Sequence, residues 1–417
     1  MISLIITALG IIVVDIVTVW GLKRTFPQFY SRYLRGIRIA FIIQATVSVA
    51  MVFGGLTIQR HISDYRLFGW YYYFWGLIGA LYLPKSFYTT LVMMDYVLSK
   101  ISKLYRRQFD KFPRGSRCIP AKCGFWISIA LTGLIVWSIF FGRNNFHVEN
   151  VEIFIDDLPS AFHGYKIVQI SDIHAGSFSG STERFQKAVD LINRQAPNLI
   201  VCTGDMVNNY AGELTPLIPV FSLLEAPDGK YAVLGNHDYG GYSKWDHPSD
   251  SAANHEALVN AIEQMGFVLL NNESKIISRY NSDRMALIGI KNWGVHKRHP
   301  KLGNLEKAME PVRDISFKIL LSHDPSFWPR KVEEKTDIAL TLSGHTHGMQ
   351  MGIKLGKKHF SLAPLLRLPY GTGLYQTEKQ YLYVNRGLGV IGFPGRIGML
   401  PEITVISLWK VKSPEQL

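Results

Sequence analysis

Three cysteines, Cys118, Cys123 and Cys202, hold all the thiol chemistry of this 417-residue chain. They make neither a disulfide framework nor a Cys-x-x-Cys pair. Cys202 lies inside an apolar run and reads as a small buried residue. Internal repeats and low-complexity tracts are also missing. Acidic residues are scarce in the first third: residues 1–149 hold 17 Lys/Arg and 5 Asp/Glu, whereas residues 150–417 hold 28 and 27. The formal charge of +13 is therefore not spread over a nucleic-acid-binding face, and no nucleic-acid partner is expected. It flanks apolar segments, where membrane proteins place it. No Lys or Arg precedes the first apolar run, so a cleavable signal peptide is not expected either.

Long apolar runs are what the first third does have. Ile2 to Leu22 has about the length that crosses a hydrocarbon layer, roughly 20 residues. A second run covers about Ile39 to Ile58. A third begins near Leu67 with Trp70, Tyr71, Tyr72, Tyr73 and Trp75, an interfacial aromatic belt. Pro84 either kinks or ends that helix, which leaves open whether Lys85 to Leu98 crosses or lies on the surface. A fourth run covers about Cys123 to Phe141. Asp15, inside the first run, marks either a functional group or a carboxylate paired within a bundle. The loops after the first and third runs hold 13 Lys/Arg and the loop between holds 2. With four spans this asymmetry puts both basic loops in the cytoplasm and everything after Arg143 outside it. The expected division is a transmembrane helical region, 1–145, followed by a catalytic domain, 146–417.

Beyond the helices, five stretches share one grammar: a short apolar run, rich in β-branched residues, that ends in Asp, Asn or His. Lys166–Ile170 leads to Asp172 and His174. Leu199–Thr203 leads to Gly204 and Asp205. Tyr231–Leu234 leads to Gly235, Asn236, His237 and Asp238. Lys318–Ser322 leads to His323. Ile338–Ser343 leads to Gly344, His345 and His347. Such runs suit strands covered on both faces, and ligands in open α/β sheets bind beyond the strands' carboxyl ends. A leader strand is expected over Phe146–Phe154, and helices over Thr182–Gln195, with Phe185, Val189 and Ile192 on one face, and His255–Met265. Residues 239–254 and Lys354–Tyr375 read as loops beside the site. Trp293, His296, Lys297, Arg298 and His299 read either as headgroup contacts or as a solvated basic loop.

Asp172, His174, Asp205, Asn236, His323, His345 and His347 offer oxygen and imidazole nitrogen without thiolate, a set that suits Mn²⁺, Fe or Zn²⁺. Seven ligands exceed one ion and fit two, with Asp205 bridging. Two ions ~3.5–4 Å apart clamp an in-line displacement at phosphorus. His237 is then placed to protonate the leaving oxygen, and Asp238 to orient that imidazole or raise its pKa.

In this order and spacing, Asp172-x-His174, Gly204-Asp205, Gly235-Asn236-His237-Asp238, His323 and Gly344-His345-x-His347 resemble the five blocks of the calcineurin-like metallophosphoesterase superfamily over about residues 150–408. The resemblance implies an α/β fold of four layers, a sandwich of two mixed β-sheets flanked by helices. It implies Asp172, His174, Asp205 and His347 on one ion and Asp205, Asn236, His323 and His345 on the other. His237 would contact the substrate phosphate or act as acid. Ser343–Gln350 and the tail Asn385–Gly389 through Pro394, Arg396 and Pro401-Glu402-Ile403 resemble the membrane-associated YkuE-like branch. Met349 stands where that branch usually has Gly.

The expected function is a membrane-anchored, dinuclear-metal phosphoesterase acting outside the cytoplasm on a phosphorylated substrate, either a lipid or an envelope phosphate. The branch also includes enzymes that cleave UDP-diacylglucosamine at the cytoplasmic face, so membrane side separates the two readings. A third reading is a non-catalytic binding module or membrane sensor on the same fold. Such modules lose ligands, whereas all seven here are of the right type.

Overall fold

The computed structural model describes residues 2–61, 66–108, 119–178, 181–280, 283–294, 301–356, 358–366 and 368–411. The chain divides into two compact units, a helical one, Met1–Ser63 with Trp70–Ile139, and a mixed one, Asp64–Gly69 with Phe140–Leu417.

The helical unit contains helices Ile2–Thr25, Pro27–Arg32, Leu34–His61, Arg66–Gln108 and Ile119–Phe140. Among the described residues, four helices are long and apolar enough to cross a membrane. Their outward faces expose large apolar side chains, including Ile6, Ile16, Ile42, Trp70 and Trp126, each more than 60 % accessible. A surface of this kind belongs in lipid, and this is a membrane protein. The third long helix runs unbroken through Pro84, so the reading that ended it there is set aside. Asp15 is buried and paired. Its carboxylate accepts from Lys85 Nζ and Tyr82 Oη, both at 2.8 Å, and Lys85 Nζ also donates to Gln44 Oε1 at 2.6 Å. Arg24 pairs Asp95 at 2.9 Å. Pairing offsets the desolvation that an isolated charge would suffer here, and it accounts for both carboxylates.

The mixed unit has two six-stranded sheets. The first runs in the order His147–Ile155, Glu402–Lys410, Tyr165–Ile170, Leu199–Cys202, Lys230–Ala232, Val268–Leu269. The second runs Gly373–Thr377, Gln380–Val384, Leu340–Ser343, Phe317–Leu321, Asp283–Gly289, Glu273–Arg279. Both are mixed, with parallel pairs at their centres. Side chains alternate across each strand. Ile167, Leu199 and Val201 meet Leu287, Ile319 and Leu342 between the sheets. Val168, Ile200 and Cys202 face outward onto Phe185, Val189, Ile192 and Leu258 of two helices. Ile288, Leu320 and Val384 pack outward against Val312, Phe327 and Trp328. The result is four layers, helix–sheet–sheet–helix. Apolar residues at both parities are what make the runs continuous in sequence.

Three expectations need correction. Helix Pro248–Gln264 begins well before His255, inside the stretch read as loop. Pro248 takes the first helical position, and the Asp250 carboxylate accepts from His247 N at 3.1 Å, so the residues that suggested a loop form the helix start. Within Lys354–Tyr375 the chain makes a hairpin, Gly352–Leu355 paired with Lys358–Ser361, and a strand from Gly373. The leader strand is His147–Ile155, one residue later than expected at each end. His296 to His299 lie outside the described residues. Trp293 packs edge-on against Phe327 rather than standing free.

Candidate metal centre

All five strand ends meet at one place. Asp172 and His174 follow Tyr165–Ile170, Asp205 follows Leu199–Cys202, and Asn236 follows Lys230–Ala232. His323 follows Phe317–Leu321, and His345 and His347 follow Leu340–Ser343. The backbone there is unusual. Asp172, His174, Asp205, His345 and His347 all have left-handed φ, between 44° and 73°. A non-glycine residue in this region costs on the order of 1 kcal/mol or more, and such residues gather at functional sites. The glycines between them serve close approach. A Cβ on Gly344 would collide with Ser171 Oγ and Asp172 Oδ2, and one on Gly235 with Asp205.

Two groups of donors result. Asp172, His174 and His347 form one, and Asp205, His323 and His345 the other, with the donor atoms of each within 4.8 Å of one another. In the first, His174 Nε2 lies 3.1 Å from His347 Nε2, which lies 3.3 Å from Asp172 Oδ1. In the second, His323 Nε2 is 3.2 Å from Asp205 Oδ2, from Asn236 Oδ1 and from His345 Nδ1. Asp205 Oδ2 is also 3.7 Å from His174 Nε2.

Hydrogen bonds behind the rings decide which atoms face inward. His323 Nδ1 donates to the Thr203 carbonyl at 2.7 Å, which turns Nε2 toward the cluster. His174 Nδ1 donates to Asn208 Oδ1 at 3.0 Å with the same effect. Asn236 donates its amide to Tyr242 Oη at 2.8 Å and turns its oxygen inward. His174 Nε2, His323 Nε2, Asn236 Oδ1 and the Asp172 and Asp205 carboxylates thus converge at ~3–4 Å, a crowding of donor atoms that a cation satisfies. The electrostatics agree. Burial, with His237 and His347 beside it, holds His174 well below the usual histidine range, in its neutral ligating form. Burial works against ionisation of Asp205, yet His323, His237 and His174 hold its carboxyl well below the usual range. Burial likewise opposes charge on His323, but the Asp205 carboxylate pushes it up to about 10. The pocket draws positive charge to the place where a metal would sit.

Several residues that hold the site were not singled out in the sequence. Asn208, three residues after Asp205, orients two imidazoles: its side chain accepts from His174, and its carbonyl accepts from His237 Nδ1 at 2.8 Å. The buried Glu213 carboxylate accepts from the backbone N–H groups of Gly176, Asn208, Asn209 and Tyr210, and so fixes that loop. Tyr242 stacks on His237 with centroids 4.3 Å apart while holding Asn236. An Asn at fixed spacing after Gly-Asp was the available signal. Glu213 and Tyr242 carried none, because their partners are backbone groups or come from another motif.

Asp238 does not orient His237. Its fully buried carboxylate accepts from the N–H groups of Asp205 at 2.8 Å, Met206 at 2.8 Å and Gly235 at 2.9 Å. It braces the turn that presents Asp205, and the His237 ring is held instead by the Asn208 carbonyl. The tail motif also braces. Leu388 N and Gly389 N donate to the carbonyls of Ser171 and Asp172, and the buried Arg396 guanidinium donates to the Gly389 carbonyl. Arg386 pairs Glu402. The tail thus clamps the first ligand turn from outside.

Donors of this type, in two groups beyond the strand ends of a four-layer sandwich, fit a metal-dependent hydrolase. Residues 165–349 match the calcineurin-like phosphoesterase family. The metallophosphoesterase YkuE of Bacillus subtilis is 33% identical over 260 residues, 60% of this chain and 81% of that protein. A metallophosphoesterase of Helicobacter pylori is 25% identical over 327 residues, 78% of each. A transmembrane protein with metallophosphoesterase domain from Danio rerio is 30% identical over 266 residues. The match covers 63% of this chain and 57% of that relative, so the chain spans little more than half of its length. The chain belongs to the calcineurin-like phosphoesterase family and is a metal-dependent phosphoesterase.

Proposed function

We propose that this protein is a membrane-anchored enzyme that hydrolyses a phosphate ester at two divalent ions on the extracytoplasmic side. The observation that carries the reading is Asp205 Oδ2, which lies 3.2 Å from His323 Nε2 and 3.7 Å from His174 Nε2, one oxygen addressed to both clusters. Asp172, His174, Asp205 and His347 would hold one ion; Asp205, Asn236, His323 and His345 would hold the other. Mn²⁺, Fe and Zn²⁺ suit these donors. Bound ions of this kind polarise phosphoryl oxygens and make water acidic enough to supply hydroxide near neutral pH. His237 acts on the substrate. Its Nδ1 is engaged by the Asn208 carbonyl, so Nε2 is the atom left to hold the phosphate or to carry a proton to the leaving oxygen. Tyr242, stacked on the ring, keeps that aim. The membrane setting favours a lipid or envelope phosphate as substrate.

The purified full-length chain is expected to bind about two transition-metal ions, and a chelator to remove phosphatase activity together with them. Metal analysis after reconstitution that finds none, with the fold intact, overturns the dinuclear reading.

The side of the membrane follows from loop charge. Four spans, Ile5–Thr25, Leu34–Gly54, Trp70–Ser102 and Ile119–Asn144, support this reading. With four spans both basic loops share one side, and the 13-to-2 asymmetry in Lys/Arg favours the cytoplasm for that side. A three-span arrangement would send the loop holding Lys100 and Lys103 outward and lose roughly 1 kcal/mol of surface attraction per basic residue. A membrane-impermeant label on intact cells is expected to reach residues of 150–411. Protection until lysis would move the site to the cytoplasm and favour cleavage of a nucleotide-sugar lipid instead.

A further inference from the structure

We propose that the wall beside His347 is a binding subsite for the hydrocarbon chain of an amphiphilic phosphoester. The proposal rests on the phosphoesterase reading above and adds to it where the non-phosphate part of the substrate lies.

A cavity of about 510 Å³ opens beside the metal centre. Its lining includes the ligands His345 and His347 and the apolar side chains of Met349, Met351, Leu362, Ile391 and Phe393. Among the described residues, no Lys, Arg, Asp or Glu lines it. Its remaining polar side chains are already engaged. Thr346 Oγ1 donates to the Gly371 carbonyl, and the Gln350 amide donates to the Phe393 carbonyl and accepts from Ile391 N. A sugar or a base placed here would lose hydration without gaining partners, whereas an alkyl chain would not.

The cavity continues onto the hairpin Gly352–Leu355/Lys358–Ser361. Strand alternation puts Met351, Ile353 and Leu355 on one face of this ribbon, with Phe360 and Leu362 beside them, since Ile353 pairs Phe360 across the strands, and with Lys358, the partner of Leu355, at the tip. Met351 and Leu362, at the base, line the cavity. Toward the tip, Ile353 is 61%, Leu355 63% and Phe360 55% accessible. The opposite face is polar and held: Lys354 Nζ lies 3.0 Å from Glu149, and His359 lies 3.8 Å from the same carboxylate. The ribbon therefore keeps a fixed polar side and an unpacked apolar side that begins at two metal ligands. A phosphate held at the metals brings its ester substituent to the base of this strip, and an apolar chain has the whole strip to lie on.

Met349 supplies the second observation. Its φ is +57°, a conformation that glycine adopts freely and methionine only under strain. The side chain kept at that strained position lines the cavity, and a thioether adapts to irregular apolar shapes.

The test uses the full-length protein in detergent, metal-loaded, with n-alkyl phosphates from butyl to dodecyl and with nitrophenyl phosphate as a chainless reference. kcat/KM is expected to rise about two- to fourfold per methylene, the gain typical of burying a CH₂ group, until the chain outruns the ribbon. Met349→Gly and Phe360→Ser are each expected to flatten that rise at least about tenfold at decyl phosphate, relative to nitrophenyl phosphate. Met349→Gly should unfold no lower than the parent, so a loss of chain-length dependence there reports binding rather than folding. Phosphatidate in phosphatidylcholine vesicles turned over faster than monomeric decyl phosphate assigns the chain to a membrane lipid. The reverse order assigns it to a soluble amphiphile. Nitrophenyl phosphate hydrolysed with a flat chain-length profile overturns the subsite and leaves the phosphoesterase intact. No hydrolysis of any ester by protein with two ions bound overturns both.

Discussion

Asp205→Asn is expected to lower turnover by at least ~10³-fold, well beyond the ~10–100-fold typical of losing a partner behind a ligand. The loss should also exceed that from changing Asp172, His174, Asn236, His323, His345 or His347 singly. Asp205 Oδ2 is addressed to His174 Nε2 in one cluster and to His323 Nε2 in the other. An amide there removes the charge that lies between two cations and weakens both sites at once. The fold should survive, because an Asn oxygen can still accept from His237 N as Asp205 Oδ1 does at 2.8 Å. The measurements are kcat, metal content per chain, and the rise in melting temperature with added Mn²⁺, which tracks binding to the native state. Near-normal turnover with two ions retained would remove Asp205 from the bridge.

His237→Ala is expected to keep both ions and slow hydrolysis by roughly 10²–10⁴-fold if Nε2 delivers a proton to the leaving oxygen. The ring contributes no atom to either donor cluster, so metal content should not move. What separates acid from phosphate holder is the leaving group. A nitrophenolate departs with little protonation, so the defect should shrink on nitrophenyl phosphate and be largest on an alkyl phosphate. An equal defect on both would assign His237 to holding the phosphate. The Asn208 carbonyl that accepts from its Nδ1 would lose that partner, so unfolding should be followed alongside to keep a stability loss apart from a chemical one.

Both experiments address residues visible before any fold was known, and the reason is geometric. A metal ligand at a strand end is announced by its own side chain and by the apolar run before it, and five such announcements in order leave few alternatives. Residues that only hold ligands announce nothing. Glu213 acts through backbone groups of a loop whose path is set by its packing on the sheet, and Asn208 holds His174 by its side chain and His237 by its carbonyl. Tyr242 was hidden in a stretch, residues 239–254, that reads only as a loop beside the site. Asp238 shows the opposite error: sequence adjacency to His237 suggested contact, but its carboxylate reaches back to the turn of a neighbouring strand.

The sequence by itself determined the apolar helices, the runs that become central strands, the ligand set and the family resemblance. These are local properties, written in the period of hydrophobic residues and in short motifs. Only the tertiary structure decided which donor atoms face one another, that Asp205 Oδ2 approaches both His174 and His323, and that Asp15 has Lys85 as its partner. It also decided that the stretch after His347 is an apolar ribbon rather than a loop. Each of these depends on groups far apart in the chain brought within ~3 Å, and on which side of a strand a residue falls once its pairing is set. A one-residue change of register would reverse every side of that ribbon.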